Sequence, residues 1–469
     1  MKKFALTASA FAVAAVLITP KFISTKVESQ LEQAVEQINS AYGYKAEIAN
    51  RQSNWFNTQA TIKISVNTEE LGIDTDNQDA EEFFVNFEVN AEHGLIMPSA
   101  KNKVGLLDMS VTMVAENLRE HLDWPADKPL YQTQVNTSLT GATLFKDAIT
   151  PFSMTDVENG IELNYQGYTG SGSFIDGEIA YIGNSKPLHV IADDSDITVS
   201  GIAVDMTAQA SLAEIFQGNM YDSETNFKIE SIVAKAHSGA EKATIKNILI
   251  DAITKVQPEN GTASIEIGYG IDSIDAEDES VKDLALNIQV NNISNEFIEA
   301  YQQNQQVFTQ GSDEEIQANI MKFAQNNLLA LLKANPEINI TKLQATFDDG
   351  SIVSHMNSSI QGIEQLPNIA ENPMFWLNHV IANGELKGDE SVIERFAVNQ
   401  VVSQIKANPN AANMTEEEIM NIAQQQVPHL LQNFIQQGLI VKTDTGYQTK
   451  FDMVNSALKV NDVQIPLPF

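Results

Sequence analysis

Residues 83–90 read Phe-Phe-Val-Asn-Phe-Glu-Val-Asn, with Phe83, Val85, Phe87 and Val89 on one parity and Phe84, Asn86, Glu88 and Asn90 on the other. Side chains of a strand alternate between its two faces, so this stretch predicts a strand with one face on a core and one in water, the habit of antiparallel sheet. The same period recurs on both sides. Ala60, Ile62, Ile64 and Val66 alternate with Thr61, Lys63 and Ser65 upstream. Downstream, Ala263-Ile265-Ile267-Tyr269-Ile271 and Leu284-Leu286-Ile288-Val290 repeat the pattern. Turn dipeptides punctuate the chain at Asn159-Gly160, Asp176-Gly177, Asn260-Gly261, Asp349-Gly350 and Asn383-Gly384. Asn-Gly and Asp-Gly accept the positive φ that tight hairpins require, so a hairpin meander is expected over residues 44–293.

Period 3.6 takes over on either side of that region. Residues 21–43 predict an amphipathic helix, with Val27, Leu31, Ala34, Val35 and Ile38 on one stripe and Gly43 placed to end it. Residues 294–469 mix helices with strands that continue the sheet. Ser312-x-x-Glu315 and Thr415-x-x-Glu418 each have the form of a capping box, and Pro428 is expected to kink the second helix. A third helix is expected over 390–406. Strands are expected at 338–347, 352–360, 447–454 and 458–465. The fold class is therefore α+β, mainly antiparallel β: an extended curved meander with several C-terminal helices packed on or between strands.

The N-terminus belongs to neither pattern. Met1-Lys2-Lys3 leads into an uncharged run from Phe4 to Thr19, closed by Pro20-Lys21. Positive charge before an apolar run is the order read by export machinery. As a helix the run spans about 24 Å, somewhat short of a hydrocarbon core of about 30 Å, with Lys2, Lys3 and Lys21 able to reach the interfaces. Residues 1–20 are expected to be a signal-anchor, a single transmembrane helix that holds the protein in the inner membrane with its bulk in the periplasm. A cleaved signal peptide is the rival reading, although small-x-small patterns occur only inside the run, at Ala8-x-Ala10 and Ala12-x-Ala14.

Charge narrows the partners. The 469 residues carry 62 acidic and 28 basic side chains, a formal charge of −34. Nucleic-acid binding rests on Lys and Arg neutralising phosphate, so it is not expected here. Cysteine is absent, which removes disulfides, thiol catalysis and thiolate-bound metals.

Three short motifs give the layout a likeness. Ser53-Asn54-Trp55-Phe56-Asn57-Thr58 stands where the YdgA-like family of bacterial envelope proteins carries an Arg-Gly-x-Phe-Ser-Ser-type segment, with Phe56 matching. His93-Gly94-Leu95 keeps two residues of a His-Gly-Pro tripeptide. Gly438-Leu439-Ile440, Thr445-Gly446-Tyr447 and Leu458-Lys459-Val460-Asn461-Asp462 are similar to the closing hairpin, with Asp462 where relatives have Gly. The resemblance runs across nearly the whole chain. It implies inner-membrane anchoring in the periplasm and brings no catalytic residues, leaving Phe56, His93 and Gly94 as a structural motif.

Familiar catalytic patterns are missing from the rest. The seven histidines form no zincin-type pair, and His93 is expected to be a strand-end residue rather than a ligand. Asp74-x-Asp76-x-x-Asp79 and Asp275-x-Glu277-Asp278-Glu279 lack EF-hand spacing and read as solvated loops. Gly167-x-x-Gly170-x-Gly172 has no following Lys and reads as a loop or bulge rather than a phosphate cradle. No metal and no cofactor are expected. The function expected is a non-enzymatic binding or structural role in the cell envelope. The C-terminal helices can cover the apolar strand faces entirely and close an ordinary core; a face left partly open near a membrane suits a lipid or other hydrophobic ligand, a homodimer or another envelope protein. The alternative is an envelope hydrolase that uses paired carboxylates.

Overall fold

The computed structural model describes residues 27–40, 43–54, 56–66, 83–94, 97, 104–157, 159–192, 195–210, 220–236, 238–276, 279–304, 308, 312–366, 373–407 and 414–467. The chain divides into two compact units, residues 1–242 with 298–323, and residues 243–297 with 324–469. The expected signal-anchor lies outside the described residues, and among those described no helix is long and apolar enough to cross a membrane.

The first unit opens with helix α1 (Val27–Ser40), which buries Leu31, Ala34 and Ile38. Its end is fixed by Asn39, whose side chain bonds both the carbonyl and the amide of Ala46, and by Gly43 at φ 79°. Six antiparallel strands then pair in chain order: β1 (Tyr44–Ser53), β2 (Asn57–Val66), β3 (Phe83–His93), β4 (Leu107–Val114), β5 (Tyr131–Thr137) and β6 (Thr143–Ile149). Their inward parity makes one core. Val85, Phe87 and Val89 are 0–1% exposed there, packed with Leu31 and Ile38 of the helix and with Leu118, Leu122, Trp124 and Leu130 of the connection between β4 and β5. The expected alternation of residues 83–89 thus becomes a closed core, each large side chain contributing about 1.5–3 kcal/mol.

Beyond β6 the pairing forks. Strand β7 (Phe152–Asp156) and strand β8 (Ile161–Tyr165) form a hairpin, β9 (Tyr168–Ile175) returns to β6, and β10 (Glu178–Ser185) pairs with β9. Strand β11 (Leu188–Ala192) pairs with β8. The long strand β12 (Ser195–Gln209) serves both branches: residues 195–199 pair with β11 and residues 202–209 with β10. Between the two stretches stands Gly201 at φ 65°, a left-handed conformation that a side chain would resist. The apolar parity of β12 changes there, from Ile197 and Val199 to Ile202, Val204 and Met206. Strand β13 (Asp222–Ala236) follows β12 along its length.

The second unit is a longer meander. Strands β14 (Glu241–Gln257, from residue 243 on), β15 (Thr262–Ala276), β16 (Glu279–Ser294), β17 (Glu337–Phe347), β18 (Gly350–Ile360) and β19 (Val380–Asp389) pair consecutively and antiparallel. Helices α2 (Asn295–Gln303) and α3 (Asp313–Lys333) interrupt the run before β17 and contribute residues to both units. The short helix α4 (Pro373–His379) precedes β19, and α5 (Glu390–Lys406) and α6 (Glu416–Gln436) follow it. Strand β21 (Gly446–Val454) then joins β19, with β20 (Val441–Lys442) on its flank and β22 (Ala457–Val460) and β23 (Val463–Ile465) beyond.

Both expected capping boxes are present: Ser312 and Glu315 bond each other's backbone amides, as do Thr415 and Glu418. Helix α6 continues through Pro428. The region from 44 to 293 is antiparallel sheet as expected, with four of the five turn dipeptides at hairpin ends. Asn383-Gly384 is the exception, since it lies inside β19 opposite Asn357 and Met356. A Cβ at Gly384 would come 2.6 Å from the Phe451 ring and 2.8 Å from the His355 carbonyl, so the glycine makes room for a neighbouring side chain instead of turning. The strand expected over 458–465 is split by a tight turn at Asn461 (φ 46°) and Asp462 (φ 67°). The glycines expected to lie in a loop, Gly170 and Gly172, are instead inside strand β9, for the packing reason given below.

Candidate functional site

Strand register in the second unit assembles one apolar face. Directly paired residues share a side of the sheet. One row across the strands is Ala252, Ile267, Ile288, Ile340, Met356, Gly384, Phe451 and Val460. On one side of it runs Thr254, Ile265, Val290, Ile338, Ser358, Ala382, Met453 and Leu458, and on the other Ile250, Tyr269, Leu286, Leu343, Ser354, Leu386 and Thr449. None of the three rows holds a charge. The opposite side carries the polar residues, as in the row Glu266, Gln289, Asn339, Asn357, Asn383, Asp452 and Lys459.

Coverage of this face is incomplete. Helix α5 lies on strands β18, β19 and β21, with Ile393 against Gly388 and Arg395 4.3 Å above the Phe347 ring. Tyr447, paired with Gly388, is buried among Val401, Ala423, Val427 and Leu431. The three rows fare differently. Ile338 remains 52% exposed, Tyr269 42% and Leu343 37%, and Ile267, Leu286, Ile288 and Ile340 are half-buried. A soluble sheet ordinarily keeps such side chains covered, and a contiguous apolar patch left open marks an interaction site. Three hydroxyls on the face are turned to the backbone: Ser354 donates to the Glu385 carbonyl (3.0 Å), Ser358 to Ile338 (2.6 Å) and Thr449 to Leu439 (2.8 Å).

A polar cluster is buried in the first unit. Gly170 and Gly172 of β9 present no side chains, so residues of β6 and β10 meet across them. Phe145 and Tyr181 stack with ring centroids 5.9 Å apart, and Tyr181 donates to the Asp147 carboxylate at 3.1 Å. Tyr168 bonds the Tyr181 hydroxyl in turn. Asp147 is 6% exposed. Burial raises its carboxyl above the usual carboxylate range, with the Tyr181 hydrogen bond opposing. Burial also pushes the Tyr168 phenol up to about 12. The Tyr181 phenol is raised by burial first and then by its bond to Tyr168. These groups lie far apart in sequence, and the one signal for them was the glycine pair in β9.

The direction of the Asp147 shift fixes a pH dependence. A carboxyl whose folded value is raised favours folding at low pH, and that contribution is lost as pH climbs through the raised value. At neutral pH the buried carboxylate is therefore a cost. Asp147→Asn should be more stable than the parent at pH 7.5 by about 1 kcal/mol, the scale of one buried polar group. The gap should close towards pH 4. Denaturant midpoints at the two pH values measure it, and an equal gap at both would remove ionisation as the cause.

The three motif residues are brought together at one end of the first sheet. The His93 amide donates to the Phe56 carbonyl (2.9 Å), and Gly94, at φ 126°, donates to Leu106 (3.1 Å). His93 Nε2 lies 3.1 Å from Thr58 Oγ1, which is itself 3.1 Å from Ser53 Oγ. Phe56 is 58% exposed, its ring 3.6 Å from where a Gly94 Cβ would stand. These contacts tie the β1–β2 turn to the end of β3. His93→Ala should lower stability by about 1 kcal/mol, the scale of one hydrogen bond, with cellular function unchanged at normal abundance. Loss of function in a normally folded variant would place an active site here.

Other singled-out residues lie apart from these sites. His189 bonds Asp196 at 2.5 Å, and His379 bonds the Phe375 carbonyl at 2.7 Å. Asp275 accepts from Ser280 (2.8 Å) and Ser273 (3.1 Å), bonds that lower its carboxyl. His237, Leu95, Trp55, Glu277, Asp278 and the acidic stretch 74–79 lie outside the described residues. No group of three or more His, Cys, Asp or Glu among the described residues could hold a metal ion. No curated protein and no solved structure matches the chain. A family model does match, over residues 1–468: the chain belongs to the family described as bacterial protein of unknown function (DUF945).

Proposed function

We propose that this is a YdgA-like, non-enzymatic envelope protein, held in the inner membrane by its N-terminus, whose bulk in the periplasm carries a lipid or other hydrophobic ligand. The observation that carries the ligand reading is the uncharged face around Ile267, Ile288 and Ile340, on which Ile338, Tyr269 and Leu343 stay exposed. Full burial of a large apolar side chain is worth about 1.5–3 kcal/mol, and a hydrocarbon ligand would recover the fraction that these partly exposed side chains forgo. Purification of residues 27–469 without detergent, followed by organic extraction, tests it. Stoichiometric lipid supports the reading. A lipid-free, monomeric protein that excludes hydrophobic dyes would leave a scaffold role instead.

The anchoring reading rests on Lys2, Lys3 and the uncharged run after them. Protease added to spheroplasts should digest the chain beyond residue 30 or so while the intact N-terminus stays with the membrane. A mature form beginning near residues 20–25 would make the segment a cleaved signal. The hydrolase alternative draws no support from the burial pattern: Asp147 is the sole fully buried carboxylate among the described residues, and its partners are tyrosines.

A further inference from the structure

We infer that the open face of the second unit recognises the acyl chains of a zwitterionic diacyl phospholipid and makes no specific contact with its headgroup. This rests on the ligand reading above and adds what kind of ligand it is.

Chemistry on the face decides it. Headgroup recognition needs charge or free donors, as phosphate binding does elsewhere. The three rows offer no charged side chain, and three of their five hydroxyls are committed to backbone carbonyls of the protein itself. Apart from the Thr254 and Tyr269 hydroxyls, what remains is apolar surface. Its dimensions suit a chain: from Ile250 through Tyr269 and Leu286 to Leu343 the row crosses three strand intervals, about 14 Å at the usual spacing. One leaflet of a bilayer holds about 15 Å of hydrocarbon. A second row, from Ala252 through Ile267 and Ile288 to Ile340, crosses the same three intervals two residues further along the strands, which gives each of two chains its own track.

Charge selects among lipids with the same chains. The protein carries a formal charge of −34, so an anionic headgroup held at the edge of the face is repelled, and a zwitterionic one is not. A second protein chain is a weaker fit to the same surface, because stable interfaces surround their apolar centre with hydrogen-bonding groups, and here the hydroxyls of Ser354, Ser358 and Thr449 face their own backbone.

The test uses the full chain reconstituted into vesicles of equimolar phosphatidylethanolamine and phosphatidylglycerol with identical acyl chains. Leu286 or Ile288 is replaced by the photo-crosslinking residue p-benzoylphenylalanine, and Gln289 on the opposite side serves as control. After illumination, the attached lipid is identified by mass spectrometry. Expected is lipid at positions 286 and 288 and not at 289, with phosphatidylethanolamine favoured about threefold or more, as electrostatic exclusion predicts. Equal capture of both lipids, or preference for phosphatidylglycerol, overturns the charge selection while the ligand reading stands. Capture at 289 equal to that at 288, or no lipid at either face position, overturns both.

Discussion

Phe87→Ala is expected to destabilise the first unit by about 3–5 kcal/mol, the range for deleting a buried aromatic ring. Phe87 is 0% exposed. Its neighbours on the same parity, Val85 and Val89, are equally buried, and α1 and the β4–β5 connection close over them. The cavity cannot collapse cheaply, because Ile62 on β2 and Met113 on β4, its register partners, are held by their own strands. Ile288→Ala makes the contrast. Ile288 belongs to the same kind of alternating strand but is only partly buried, so its loss should cost about 1–2 kcal/mol, part of the transfer term without a sealed cavity. Chemical denaturation of both variants measures the difference. Comparable losses would mean that the second unit's face is covered as thoroughly as the first unit's core.

The other large effect is expected at Gly172. A Cβ there would enter the Phe145 ring and approach the Ala180 carbonyl oxygen to 2.5 Å. The ring can rotate, but the carbonyl belongs to the neighbouring strand β10 and moves only with it. Gly172→Ala should therefore cost about 1–3 kcal/mol by overpacking, and the displacement should separate Tyr181 from Asp147. Loss of the pH-dependent difference between the parent and Asp147→Asn, when both are placed in the Gly172→Ala background, is the specific sign. If the variant melts like the parent, the close approach over β9 is absent in solution.

Period-two alternation is a local property, and it made the antiparallel architecture legible. Capping boxes at Ser312 and Thr415 are local too, and both formed. What stayed hidden depends on partners distant in sequence. Residues 83–89 and 284–290 carry the same pattern, yet one is sealed by a helix and a connection and the other is left half-open. Nothing within either heptapeptide distinguishes them. Asn383-Gly384 has the composition of a turn, but Phe451, nearly seventy positions later, uses the space over the glycine. The Asp147–Tyr181–Tyr168 cluster draws on three strands, and only the small residues of β9 hinted at it. The motif residues Phe56, His93 and Gly94 do meet, joined mainly through backbone bonds that no side-chain pattern reveals.

The order of strands in the second unit also governs how quickly it can form. From β14 to β16, and again from β17 to β19, each strand pairs with the one before it, so each new hairpin finds its edge already in place. Contacts close in sequence are associated with fast folding. Two joints are exceptions: β17 joins β16 only after the chain between Ser294 and Glu337 has passed through α2 and α3, and β21 joins β19 only after the chain between Asp389 and Gly446 has looped out through α5 and α6. Ring closure of that length is paid in chain entropy before any contact repays it. These two joining steps are therefore the slow ones, and until the second occurs β19 offers a bare edge to any other extended chain.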